Sequence, residues 1–317
     1  MDEANDSTVT EFVLVGLPVS WEMNIFLFCF FSSFFMGIVL GNLFIVFTVI
    51  FDPHLHSPMY FLLANLSLLD LGLSATAVPR MIADVLSTHR IISFPSCMTQ
   101  IFFIHVMGGT EMVLLIAMAF DRYTAICKPL HYLTIMNHKT CICFVVAAWV
   151  IGVVHAVSQF IFLINMPFCG SNKIDSFYCD FPQVTKLACV DTHVVDNVVT
   201  ASSGLISMGT FFLLIISYIF ILVTVRHHSS VGLSKAFSTL SAHITVVFLY
   251  FTPCFFVYVW PFPTLSLDKF LIILDFVVTP VLNPAILESL NPAFRNKEMK
   301  MAMKRLSRKI VGSKESS

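Results

Sequence analysis

Met118-Ala119-Phe120-Asp121-Arg122-Tyr123-Thr124-Ala125-Ile126-Cys127-Lys128-Pro129 ends a long apolar stretch with an acid, a base and a phenol in succession. Charges at a membrane boundary ordinarily act as flanking anchors. Here the triplet Asp121, Arg122, Tyr123 follows an apolar segment that already carries Glu111, so ionisable groups stand where a bilayer penalises them and where function is the default explanation. The reading that follows is a helix crossing a membrane, with a device at its inner end that an anchor does not need.

Working outward, 57% of the 317 residues are hydrophobic and 12% charged, against about 25% charged in a water-soluble domain. Stretches of about 20 mainly apolar residues, the length that spans a bilayer, occur at Ile25 to Phe51, Pro58 to Ala83, Cys97 to Ile126, Cys141 to Asn165, Val194 to Val225, Lys235 to Val259 and Phe270 to Leu290. The predicted fold is an all-α membrane protein, a seven-transmembrane helix bundle. Its expected parts are a tail over 1–24, a transmembrane domain over 25–290 and a short amphipathic basic helix and tail over 291–317.

Seven spans put the termini on opposite sides, and the bias of Lys and Arg in short loops sets the orientation. The first 24 residues hold five acids and no Lys or Arg, whereas Arg295 to Lys314 holds eight basic residues, and 13 of the 18 basic residues fall on that side. The N-terminus is expected outside and the C-terminus in the cytosol, with Ile25 to Phe51 an uncleaved anchor. Met299, Met301, Met303 and Leu306 among the basic residues predict a helix lying on anionic membrane lipid. Asn5-Asp6-Ser7 in the outer tail is a glycosylation acceptor. Four of the nine cysteines, Cys97, Cys169, Cys179 and Cys189, fall on the oxidising side. They permit three pairings, among which spacing does not choose.

Two acids lie mid-span. At about 1.5 Å per helical residue, Asp70 sits about 18 Å from the start of its span and Glu111 about 16 Å above Arg122, so both share one depth. Two carboxylates close together in low dielectric need a shared proton or a bridging cation. A sodium ion or a proton between them is expected and no other cofactor, with Asn42 and Asn283 completing a polar layer. The alternatives are a purely structural hydrogen-bonded cluster, or an intramembrane enzyme or ion-coupled carrier using these acids. No His-Glu-x-x-His or Gly-x-Ser-x-Gly string occurs, Cys and His lack zinc-finger spacing, and no nucleic-acid partner is expected. One half of the chain does not repeat the other, which weakens the carrier reading.

Nearer the outer face, Ile104, His105, Gly108, Gly109 and Met112 follow one helical stripe. Ser202, Ser203 and Ile206 stand at similar depth in the fifth span, Cys254, Phe255 and Tyr258 in the sixth, and Ile273 and Phe276 in the seventh. The long second outer loop, with Phe181, is a candidate lid. These residues predict a mostly apolar cavity with a few polar points, the composition of a small-molecule site. Close helix packing is the competing explanation for the two glycines. No Lys or Arg faces this level, so a small neutral ligand is expected and a carboxylate disfavoured.

Several strings now stand in fixed order: Val9-Thr10-Glu11-Phe12, Gly41-Asn42, Leu55-His56-Ser57-Pro58-Met59-Tyr60-Phe61 leading to Asp70, Met118 to Tyr132, Ser217-Tyr218, Lys235-Ala236-Phe237-Ser238-Thr239 to His243, and Thr279-Pro280 to Asn283-Pro284. Through them the chain closely resembles, over nearly its whole length, the odorant receptors of the tetrapod-type class, a branch of the rhodopsin-like G-protein-coupled receptors. The resemblance implies a plasma-membrane receptor for a small volatile odorant, with disulfides Cys97 to Cys179 and Cys169 to Cys189. It implies a ligand pocket between spans three, five, six and seven, and a sodium site at Asp70 and Glu111. It also implies that Arg122, flanked by Asp121 and Tyr123, leaves Asp121 on activation, gains support from Tyr218 and contacts a stimulatory G protein that raises cyclic AMP.

The chain departs from the family pattern at Leu287, where Tyr is usual, and in five additional residues before Arg295. Leu290-Asn291-Pro292-Ala293-Phe294 nearly repeats Leu282-Asn283-Pro284-Ala285-Ile286. Weak coupling, improved by Leu287→Tyr with the extra residues removed, is the expectation. Phe120 and Phe251, also at usual Tyr positions, are milder changes.

Overall fold

The computed structural model describes residues 9–17, 19–168, 171–190, 193–226, 230–256 and 265–283. Asn5, Cys169, Tyr258, Leu287 and the basic stretch from Arg295 lie outside them.

Long helices α1 (Trp21–Phe51), α2 (Pro58–Leu86), α3 (Phe94–Cys127), α5 (His138–Ile164) and α7 (His193–Arg226) are each long and apolar enough to cross a bilayer. A short helix, α4 (Tyr132–Ile135), lies between α3 and α5. α8 (Ser230–Cys254) is the sixth span, and α9 (Leu265–Ile273), continued by a π turn over Leu274–Val278, begins the seventh. The fold is the expected seven-helix transmembrane bundle. Its outward faces show large apolar side chains such as Phe26, Leu40, Val154, Leu205 and Ile216, a surface that lipid accepts and water does not.

Helices begin before the apolar windows because polar caps nucleate them. Ser20 accepts from Met23 N–H, Ser93 from Ser96 N–H and Asn137 from Thr140 N–H, each satisfying an amide that the helix itself leaves open. In low dielectric an unsatisfied amide is costly.

Between α3 and α5 the contact is as close as two backbones allow. A Cβ on Gly152 would lie 2.6 Å from Val106 O and 2.8 Å from Thr110 N, and one on Gly109 would lie 3.2 Å from Gly152 Cα. Small residues at a helix crossing permit this approach. For Gly109 the packing explanation therefore holds.

The end of the bundle that carries Cys97, here the upper end, is roofed by a three-stranded sheet ordered β2-β1-β3. β1 (Glu11–Leu14) comes from the N-terminal tail and pairs antiparallel with β2 (Ile91–Ser93), Phe12 opposite Ile92, and parallel with β3 (Lys173–Ile174). The tail is thus bound to the loops, with Phe12 and Leu14 buried. Cys97 and Cys179 form a disulfide with Cα atoms 5.4 Å apart, fastening the long loop to α3. Cys189 is also disulfide-bonded. Cys29, Cys127, Cys141, Cys143 and Cys254 are free thiols.

Candidate functional site

Below the roof lies a cavity of about 80 Å³ between α2, α3, α5, α7, α8 and the seventh span. From α3 it is lined by Ile104, His105, Gly108, Gly109 and Met112, the whole predicted stripe, with Ser203 and Ile206 from α7, Cys254 from α8 and Phe276 from the π turn. Four expected positions are not in this lining. Ser202 faces α5, where Gln159 Nε2 donates to its hydroxyl at 3.0 Å, and its own proton goes to Val199 O. Phe255 lies against Phe256. Ile273 gives way to Ile272. Phe181, in α6 (Phe181–Thr185), is buried and reaches the site only through an edge contact, its ring 5.9 Å from that of His105.

The sequence reading missed Leu73, His155, Tyr178, Tyr250, Pro253, Leu271, Ile272 and Asp275, all of which line the cavity. Tyr178 belongs to the roofing loop and packs 4.8 Å from Phe276. Gln100 Oε1 accepts from Cys179 N at 2.8 Å, and Lys269 Nζ donates to Gly16 O and to Asp175 Oδ1, each at 2.6 Å. Tail, loop and seventh span are therefore joined at one buried ammonium. This clasp ties the roofing loop to the tail and to the seventh span.

Polar valences in the cavity wall are unevenly used. His105 Nδ1 lies 2.8 Å from Ile101 O, so it carries the proton, and the buried Nε2 has no partner. Tyr250 donates to Gly108 O at 2.8 Å and Tyr178 to Asp180 Oδ1 at 3.2 Å. Ser203 Oγ and Asp275 Oδ1 are buried without a hydrogen-bond partner. A larger groove of about 640 Å³ lies at the opposite, lower end between α1, α2 and the α4 segment. Among the described residues none of the buried unpaired polar atoms lines it. The upper cavity is where chemistry is left open.

Deeper, a polar layer ties the seventh span to α1 and α2. Asn283 Nδ2 donates to Asp70 Oδ1 at 3.2 Å and Oδ2 at 3.4 Å, Asn42 Nδ2 to Pro280 O at 3.1 Å, and Ser74 to Phe276 O at 3.1 Å. Glu111 Oε1, Asn42 Oδ1 and Asn283 Oδ1 are buried without a partner. Asp70, Glu111 and Asp275 are near enough to act on one another electrostatically. The unpaired atoms are all oxygens, a donor set that fits a hard cation such as sodium. Among the described residues no three or more His, Cys, Asp or Glu side chains gather as a metal-type cluster.

At the lower end Asp121 and Arg122 are buried. Asp121 Oδ2 lies 3.4 Å from Arg122 Nη2, and Asp121 Oδ1 accepts from the Tyr132 hydroxyl at 2.7 Å. Burial, then the neighbouring Asp121 carboxylate, push the Tyr132 phenol up, so it stays a donor. Sequence reading did not foresee Tyr132, which only the α4 turn brings back onto α3. Tyr123 packs between Phe120 and Phe220, with Lys128 Nζ 6.0 Å over its ring. Tyr218 is buried beside His243, its hydroxyl without a hydrogen-bond partner.

The family model described as "Olfactory receptor" matches residues 30–309. Olfactory receptor 4F6 of Homo sapiens is 57% identical over 311 residues, 98% of each chain. Olfactory receptor 4F15 of Homo sapiens is 56% identical over 311 residues, again 98% of each chain. Olfactory receptor 4K3 of Homo sapiens is 54% identical over 311 residues, 98% of this chain and 97% of the relative.

Proposed function

The chain belongs to the olfactory receptor family, and from that premise we propose that the upper cavity is its odorant site and the Asp121–Arg122–Tyr132 cluster its G-protein switch. It is a multi-pass receptor of the plasma membrane that couples to a G protein, and not an enzyme. The single observation that carries the assignment of sites is their separation. A cavity with unpaired polar atoms stands at one end of α3, and a buried guanidinium beside a neighbouring carboxylate stands at the other.

In this reading the N-terminus and the roof are extracellular, and the lower end faces the cytosol. A small odorant lies between the α3 stripe and the seventh span. It drives the switch only by the difference in its affinity for closed and open bundles. When α8 moves away from α3, Arg122 exchanges Asp121 for the G protein, and the unpaired hydroxyl of Tyr218 becomes its support. The partner is a stimulatory G protein that raises cyclic AMP. Asp70, Glu111, Asn42 and Asn283 would hold a sodium ion, whose charge would offset the paired acids of the closed bundle.

The test is Arg122→Ala in a cyclic-AMP reporter cell, with receptor at the surface counted separately. Loss of the odorant response at normal surface density is expected. A full response would remove Arg122 from the switch.

A further inference from the structure

With the upper cavity taken as the odorant site, the open valences of its wall bear on the polar end of the ligand. Three of the wall's protons are committed, while the half-buried His155 ring keeps one that is not. The His105 Nδ1 proton goes to Ile101 O, the Tyr250 proton to Gly108 O and the Tyr178 proton to Asp180. What remains unpaired is His105 Nε2, which in this neutral tautomer only accepts, Asp275 Oδ1, and Ser203 Oγ. Ser203 differs from its helix neighbours Ser202 and Ser207, whose hydroxyls bond back to Val199 O and Gly204 O. Among the fully buried groups of the wall, with Asp275 ionised, two acceptors and one hydroxyl that can turn either way thus line one cavity.

An aldehyde, ketone, ether or ester brings acceptors only and leaves both His105 Nε2 and Asp275 unmet. That is the costly outcome for buried polar groups. An alcohol brings one proton. A primary ammonium brings three N–H donors and a positive charge, opposite a wall that carries the Asp275 carboxylate and, among its described residues, no Lys or Arg. Size agrees. At about 10–15 Å³ of cavity per water-sized group, 80 Å³ takes roughly five to eight such groups, and the rest of the wall is mostly apolar. The π turn that presents Asp275 is itself a feature that recurs at functional sites.

We propose that this receptor selects small primary amines, bound by Asp275 together with His105 and Ser203, over odorants of equal size whose polar atoms only accept.

Pentylamine, pentan-1-ol, pentanal, butyl methyl ether and pentanoic acid form a matched set of probes. Each is applied to cells carrying the full receptor and a cyclic-AMP reporter, and each is added to the purified receptor during thermal unfolding, so that binding without activation is also scored. Pentylamine is expected to act at about a tenth or less of the concentration that pentanal or the ether needs, with the alcohol between and the acid inert. Asp275→Asn keeps the shape and removes the charge. It is expected to weaken pentylamine about tenfold or more while leaving pentanal and the ether unchanged, and Asp275→Glu, which restores the charge, to recover part of the amine response. Equal weakening of every probe by Asp275→Asn at normal surface density would make Asp275 a structural residue and overturn the proposal. Activation by pentanal or the ether with no response or thermal shift from the amine would overturn it too, and would leave the odorant-site reading standing. Silence from all five probes in both measurements would sink both.

Discussion

Tyr132→Phe isolates one bond of the proposed switch. The ring stays, and the substitution deletes only the hydroxyl that donates at 2.7 Å to Asp121 Oδ1. Asp121 is buried and its other oxygen is 3.4 Å from Arg122 Nη2, so the lost bond leaves a buried carboxylate with less to hold it beside α3. Hydrogen bonds to charged groups contribute about 1.5–3 kcal/mol. Tyr132 is half-buried, so water replaces part of that, and about 1–2 kcal/mol is the better figure. If the bond exists only in the closed bundle, at about 1.4 kcal/mol per factor of ten the open population rises roughly 5- to 30-fold. A resting open fraction of about 0.5%, typical for a closed state favoured by a few kcal/mol, becomes roughly 3–13%. The assay is cyclic AMP in cells without odorant, normalised to receptors at the surface. Ligand-free signal should climb and odorant half-maximal concentrations should fall, while the maximal response stays put. Basal signal equal to or below wild type at matched surface density would refute the claim that Tyr132 restrains the switch.

Gly152→Ala forces a Cβ to 2.6 Å from Val106 O and 2.8 Å from Thr110 N; overpacking of this kind costs about 1–3 kcal/mol, so lower thermal stability and fewer receptors at the surface are expected, and a variant as stable as wild type would mean α3 and α5 sit farther apart. Lys269→Met keeps length and loses the bonds to Gly16 O and Asp175 Oδ1. Amide exchange should then accelerate in Val13 to Gly16 and in Asn172 to Ser176, by roughly tenfold for each 1.4 kcal/mol lost, and unchanged exchange would show that the sheet holds the roof without the clasp.

How much of this was legible in the sequence depends on whether a feature is set locally. The spans were, because a bilayer demands about 20 apolar residues in a row. Their ends were not, because polar caps such as Ser20, Ser93 and Asn137 lie beyond the apolar windows. The β1 strand is four residues whose partners stand at Ile91–Ser93 and Lys173–Ile174, and no local pattern announces a pairing at that distance. The α3 stripe was legible because Ile104, His105, Gly108, Gly109 and Met112 obey the helical period without interruption.

In the seventh span the helical spacing holds, but the stripe starts earlier than Ile273 and runs through the π turn Leu274–Val278. The residues that face the cavity are Leu271, Ile272, Asp275 and Phe276. Asp275 nevertheless carried its own signal, since it is a carboxylate within an apolar span, which is costly wherever it points. Placing all three acids in one interior changes what the cavity asks of a guest. A wall that merely lacks cations disfavours carboxylates, whereas a wall whose open valences are a carboxylate oxygen and a bare imidazole nitrogen calls for protons on the ligand.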